Sequence, residues 1–336
     1  MITASPSTRL SSPVPGWRAL WRDAVTDARE LLHLLGLEAL AGRLPPADAG
    51  FALRVPRGFV ARMRPGDPRD PLLLQVLPQL AELDEAPGFV ADAVGDLAAR
   101  ESRGVLHKYR GRALLIASGT CAVNCRYCFR RHFPYGEEIA AAVQWRQALA
   151  YLRDDPSVGE LILSGGDPLA LSTAKLEELS RGLAGIAHVA RLRIHTRLPV
   201  VLPERIDDAF EAWLAALPLQ KVVVIHANHA NEFDASVDAA CARLRQAGAT
   251  VLNQSVLLRG VNDDAGALAA LSERLFAAGV LPYYLHQLDR VRGAAHFEVD
   301  DRRALALLEQ LRARLPGYLV PKLVREVGGD PSKRPL

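Results

Sequence analysis

Downstream of Arg103 the chain alternates short runs of aliphatic and β-branched residues with longer segments whose apolar positions recur every three or four residues. The runs Ala113 to Ser118, Glu160 to Ser164, Arg191 to Thr196, Lys221 to His226, Thr250 to Val256 and Pro282 to Gln287 have the length and composition of strands in a buried sheet. Helical periods lie between and after them, at about 142–154, 173–184, 204–216, 235–247, 264–278 and 301–314. This alternation predicts an α/β fold with a parallel sheet. Its six β/α units are two short of a full barrel, so the expected architecture is a partial (β/α)6 parallel barrel. Trp17 to about Leu44 has a helical period that ends at Pro45 and Pro46, and residues 51–100 are rich in turn signals such as Arg64-Pro65-Gly66-Asp67-Pro68. The expected division is an N-terminal helical region over 1–100, the barrel over 101–320 and a C-terminal segment over 321–336.

Polar residues gather where a parallel barrel carries its chemistry, at the C-terminal ends of the strands. Ser164-Gly165-Gly166-Asp167-Pro168 follows the second run, His195 and Arg197 close the third, His226 closes the fourth, Gln254 lies late in the fifth and Asp289 follows the sixth. A histidine at one strand end is ordinarily a solvated loop residue. Five strand ends carrying polar groups together point to an enzyme.

Composition narrows the setting. Hydrophobic residues make up 49% and charged residues 24%, and no apolar run approaches the roughly 18 residues of a membrane span. The first residues carry no basic stretch followed by an apolar one, which argues against secretion and for the cytoplasm. The net charge is +3 with arginines interspersed among acids, so neither an extended nucleic-acid surface nor a membrane partner is expected.

Three of the four cysteines fall in Cys121-Ala122-Val123-Asn124-Cys125-Arg126-Tyr127-Cys128. This C-x3-C-x2-C spacing lets three thiolates converge on one metal centre with a coordination position open. Two inorganic readings fit: a catalytic zinc with bound water, or a four-iron cluster whose fourth iron takes an outside ligand. Cys241 lies alone on a helical segment and reads as a core residue. In Ser164-Gly165-Gly166-Asp167, glycines after an apolar strand permit close backbone approach to a ligand, and equally describe an ordinary turn. The stretch Arg325-Glu326-Val327-Gly328-Gly329-Asp330-Pro331-Ser332-Lys333 reads as a solvated tail on composition alone, or as a lysine swung into the barrel mouth to carry a carbonyl cofactor.

With these motifs in order, the chain resembles the lysine 2,3-aminomutase family of radical S-adenosylmethionine (SAM) enzymes, over about His107 to Lys333. Leu53-Arg54-Val55-Pro56 and Asp67-Pro68-Arg69-Asp70-Pro71-Leu72 also resemble the short subtype that supplies β-lysine for modification of elongation factor P. The resemblance implies a [4Fe-4S] cluster on Cys121, Cys125 and Cys128, with SAM on its open iron. It implies pyridoxal 5'-phosphate on Lys333, near Lys108 and Arg112. Ser164, Gly165, Gly166, Asp167, His226 and Gln254 would contact the cofactors. Arg130 would take the substrate α-carboxylate, and Asp289 and Glu326 its ε-ammonium. Glu326 departs from the aspartate usual in the family.

The implied reaction moves the amino group of free L-lysine from C2 to C3, giving (R)-β-lysine for the elongation factor P lysylation system. It requires an external reducing electron donor, and a homo-oligomer is possible. Longer relatives bind an intersubunit zinc through a cysteine after Gly-Val-Asn-Asp. Asp264 stands there, so no such zinc is expected. On the residues alone, a zinc-dependent hydrolase and a non-catalytic iron–sulfur module remain rival readings.

Overall fold

The computed structural model describes residues 16–46, 51–138 and 142–336. Ten strands form one sheet in chain order: β1 (Arg100–Ser102), β2 (Val105–Tyr109), β3 (Arg112–Ser118), β4 (Glu160–Gly165), β5 (Arg191–Thr196), β6 (Gln220–His226), β7 (Thr250–Val256), β8 (Leu281–His286), β9 (Lys322–Arg325) and β10 (Arg334–Pro335). Strands β3 to β9 run parallel, while β1, β2 and β10 pair antiparallel at the two ends. The sheet is a partial barrel. Its first and last strands are not hydrogen-bonded to each other.

All six expected strands form, and helices follow them at Ala142–Asp154, Thr173–Leu183, Asp208–Ala216, Ala235–Gln246, Ala265–Ala277 and Asp301–Arg314. Aspartate or serine caps start the last five: Ser172, Asp207, Asp234, Asp264 and Asp300 each accept from backbone N–H groups of the first turn. Asp264, which follows Gly260-Val261-Asn262-Asp263, therefore serves the backbone. Side chains alternate across the sheet. Leu115, Leu163, Ile194, Val223 and Val251 are buried in the main apolar core, whereas Leu114, Ile162, Val222 and Leu252 face an internal cavity.

Two expectations change. Trp17 to Leu44 is not one helix but three short pieces, Trp17–Arg22, Ala28–Leu34 and the 3-10 turn Glu38–Arg43. An antiparallel bridge between Val25 and Val55 interrupts the first two, and Gly36 at φ 65° ends the second. Val25, Leu31, Phe59 and Leu73 belong to the same apolar core as the barrel. A seventh parallel strand, β9, also joins the expected six, and β10 folds back on it.

Candidate active site

The concave face of the sheet encloses a cavity of about 630 Å³. All three clustered cysteines line it, together with Arg130, Ser164, Gly165, Gly166, Asp167, His226, Gln254, Asp289, Glu326, Lys333, Lys108 and Arg112. Residues from position 108 to position 333 thus meet around one space.

The cysteine loop follows β3 and is fixed from behind. Arg126, 1% exposed, donates through Nε to Glu82 Oε1 at 2.8 Å and through Nη2 to Glu82 Oε2 at 2.5 Å, and Arg131 adds a third bond to Glu82 Oε2 at 2.7 Å. Burial pushes the Glu82 carboxyl up, but the two guanidiniums prevail and hold it below its ordinary range. Removing one member of such a buried set strands the others. Glu82→Gln is expected to destabilise the protein by about 3–5 kcal/mol, measurable by urea unfolding of the metal-free chain.

On the cavity side, Arg197 Nη1 donates to Cys125 Sγ at 2.7 Å and to the Tyr127 hydroxyl at 2.8 Å, while its Nη2 is held by Gln75 and Glu232 at 2.7 and 3.0 Å. Tyr127 stacks on His226, with centroids 5.7 Å apart, and shares a 2.9 Å hydrogen bond with His226 Nε2. Burial pushes the Cys121 thiol well up and Cys128 to about 11. Among the described residues, no three His, Cys, Asp or Glu side chains are gathered as a ready shell for one ion. The donor set still suits a thiolate-bound iron–sulfur cluster: three thiols face one cavity, and a buried guanidinium donates to one of the sulfurs. Cys241 is buried in the helix Ala235–Gln246, away from this wall.

The glycine turn lines the cavity and also packs closely on the protein. A Cβ on Gly166 would lie 2.6 Å from the Thr120 carbonyl oxygen, and one on Gly165, whose φ is 116°, would lie 2.5 Å from that of Ser118. Both glycines are required because this turn packs on the start of the cysteine loop. Asp167 is likewise committed: its oxygens accept from the Thr196 hydroxyl and from the backbone N–H groups of Leu169, Arg197 and Leu198. It ties the end of β4 to the end of β5. His226 and Gln254 are cross-strand partners at the ends of β6 and β7, and Gln254 faces the cavity. Arg112 lies near the start of β3, where its guanidinium covers the Tyr109 ring at 4.6 Å.

A chain of alternating charges crosses the cavity. Arg130 Nε donates to Asp96 Oδ2 at 2.6 Å, and Asp96 Oδ1 meets Lys108 Nζ at 2.5 Å. Lys108 Nζ also meets Glu326 Oε1 at 2.9 Å, and Glu326 Oε2 pairs with Lys333 Nζ. Lys333 is therefore no solvated tail lysine; the bend at Gly329, φ 86°, and the β9–β10 pairing return it to the cavity. Burial raises the Glu326 carboxyl, yet Lys333 and Lys108 outweigh that and hold it far below the usual range. Asp289 stands apart from the chain. Its Oδ1 is sealed from solvent without a partner, and burial, reinforced by the negative charge of Glu326, pushes its carboxyl up to about 7.

Sequence reasoning missed Asp96 and Glu82. Each meets its arginine across 34 or more residues, from a turn-rich stretch with no motif of its own.

A partial parallel barrel with a C-x3-C-x2-C loop at the C-terminal ends of its strands defines a radical SAM enzyme, and the Radical SAM superfamily profile matches residues 115–271. The chain is 52% identical to L-lysine 2,3-aminomutase of Escherichia coli over 95% of its length and 94% of the relative's. It is 46% identical to that of Haemophilus influenzae, again over 94% of both, and 35% identical to the Clostridium subterminale enzyme over 83% of this chain and 67% of that one. The chain belongs to the lysine 2,3-aminomutase family, a family of isomerases.

Proposed function

We propose that this enzyme converts free L-lysine to (R)-β-lysine with a [4Fe-4S] cluster, SAM and pyridoxal phosphate, and that the product serves modification of elongation factor P. The observation that carries the substrate reading is the charge layout of the cavity. One wall presents a buried guanidinium, and elsewhere the cavity presents two carboxylates, one of them already holding a lysine ammonium. A ligand with a carboxylate and a distal ammonium satisfies both.

When bound, the cluster and SAM supply a carbon radical able to take hydrogen from lysine, and pyridoxal phosphate supplies the conjugated system that lets nitrogen migrate. Cys121, Cys125 and Cys128 would hold the cluster, and Lys333 the pyridoxal, with Lys108 and Arg112 as cations for its phosphate. The protein's own work is placement. Arg130 orients the carboxylate, Asp289 and Glu326 take the ε-ammonium, and the apolar strand residues keep water from the reacting carbons. The product's use in elongation factor P modification rests on the resemblance to the short subtype.

The test is anaerobic turnover with reductant, SAM, pyridoxal phosphate and L-lysine, followed by chiral chromatography. (R)-β-lysine is the expected product, and SAM cleavage without it sinks the reading. A protein-bound lysine residue is expected to be inert, because Arg130 needs a free carboxylate.

Asp289 adds a pH signature. Its carboxyl is raised to about 7, so it must lose a proton before it can pair with an ammonium. Lysine affinity should be flat above that pH and fall about tenfold per unit below it. In Asp289→Asn the slope should vanish and affinity should be low throughout, as read by calorimetry across pH 5 to 8.

A further inference from the structure

We infer that His195 is a further substrate-binding residue, whose Nε2–H donates to the α-carboxylate of the amino acid in the cavity beside Arg130; the inference rests on the lysine reading above. His195 lies on β5 with its side chain in the cavity wall. Its Nε2 is sealed from solvent and has no hydrogen-bond partner. Leaving a buried polar atom unpaired costs about 1–3 kcal/mol, so an unpaired nitrogen on a ring that lines a ligand-sized cavity marks a contact that a ligand can complete. Several other polar groups of the cavity already have partners: His226 bonds Tyr127, Asp167 accepts from the turn after β5, and Lys108 and Lys333 share Glu326.

The register of the sheet places this imidazole next to the carboxylate site. Leu163 of β4 pairs with Ile194 of β5 in parallel, so the next residues, Ser164 and His195, stand side by side, both lining the cavity. Ser164 Oγ accepts from Arg130 Nη1 at 2.9 Å. With Nε on Asp96 and Nη1 on Ser164, the Arg130 guanidinium has Nη2 as its uncommitted edge. A carboxylate arriving there brings a second oxygen that needs another donor, and His195 flanks it.

The charges around the ring give the sign. Burial, with Arg193, Lys333 and Arg130 nearby and His286 beside them, keeps the imidazole neutral. A neutral ring among cations is best completed by an anion, which selects the tautomer with hydrogen on Nε2. The cavity offers two sources of anion, the α-carboxylate of the amino acid and the phosphate of pyridoxal phosphate. The adjacency to Ser164 and Arg130 favours the carboxylate.

The experiment uses the anaerobic holoenzyme carrying cluster, SAM and pyridoxal phosphate, with His195→Ala and His195→Gln as variants. Affinities for L-lysine and for cadaverine, which is lysine without its carboxylate, are measured by calorimetry, alongside retention of pyridoxal phosphate and the melting temperature. The expected result is that His195→Ala binds lysine about tenfold or more weakly, binds cadaverine and pyridoxal phosphate as the wild type does, and melts at the same temperature. His195→Gln, which keeps an N–H donor, should recover part of the lysine affinity. Unchanged lysine affinity, or equal weakening of lysine and cadaverine, overturns the inference. Loss of pyridoxal phosphate with lysine binding intact assigns the donor to the phosphate and overturns it as well. Failure of the wild-type holoenzyme itself to bind lysine overturns the lysine reading and this inference with it.

Discussion

Replacing Cys121, Cys125 and Cys128 together by alanine is expected to give a folded protein that takes up no iron, has no iron–sulfur absorption after reconstitution and makes no detectable product. The three thiols line the cavity and are only partly buried, so removing them costs little packing. What the variant loses is the donor set, and with it the only three thiols that share one wall. Cys241→Ala is the matched control. That thiol is fully buried in an outer helix, and its removal should lower stability modestly by leaving a small void while iron uptake stays at the wild-type level. Iron and sulfide assays with absorption spectra separate the two. A triple variant that still assembles the cluster would remove these cysteines from the site.

Lys333→Ala is expected to abolish the covalent pyridoxal adduct and all turnover while leaving the iron content unchanged. Borohydride reduction followed by mass spectrometry reads the adduct directly. The side chain also has an electrostatic role, since its ammonium pairs with Glu326 and helps hold that carboxyl ionised. Lys333→Arg separates the two roles. It keeps the positive charge beside Glu326 but presents no amine able to form an imine, so it should be as inactive as Lys333→Ala. A reducible adduct in either variant places the cofactor on another lysine.

The parts of this molecule that could be read from the sequence are those in which local pattern and tertiary role coincide. Strands β3 to β8 were legible because each is a run of apolar residues bounded by turns and followed by an amphipathic helix. The cysteine loop was legible because its chemistry is compressed into eight residues. β9 was not, because Lys322-Leu323-Val324-Arg325 is too short to stand out and is a strand only by virtue of β8 beside it. The broken N-terminal helix misled because its apolar period persists across the Val25 bridge and the Gly36 turn, and only the backbone reveals the interruption.

The site divides in the same way. Cysteines, Arg130 and Lys333 could be nominated from motifs, and the structure brings them to one cavity. Asp167 carried a motif, and its contacts to the backbone at the end of β5 could not be read from it. Asp96 carried none and yet sits between Arg130 and Lys108, because a buried ion pair depends on what the fold brings opposite, and no local pattern encodes that.

The open sheet has a mechanical consequence. Because β1 and β10 do not pair, the gap between the two ends of the barrel is spanned by side chains and loops: Lys108 of β2 grips Glu326 just past β9, and the backbone at Gly95 lies against that at Gly328. Every other seam in the barrel is a ladder of backbone hydrogen bonds that yields only when the sheet comes apart. This one is a clasp. It rests on an ion pair, a loop contact and the single backbone bridge between Val90 and Val291, so unlike the seams within the sheet it depends in part on the charge state of the groups that line the cavity.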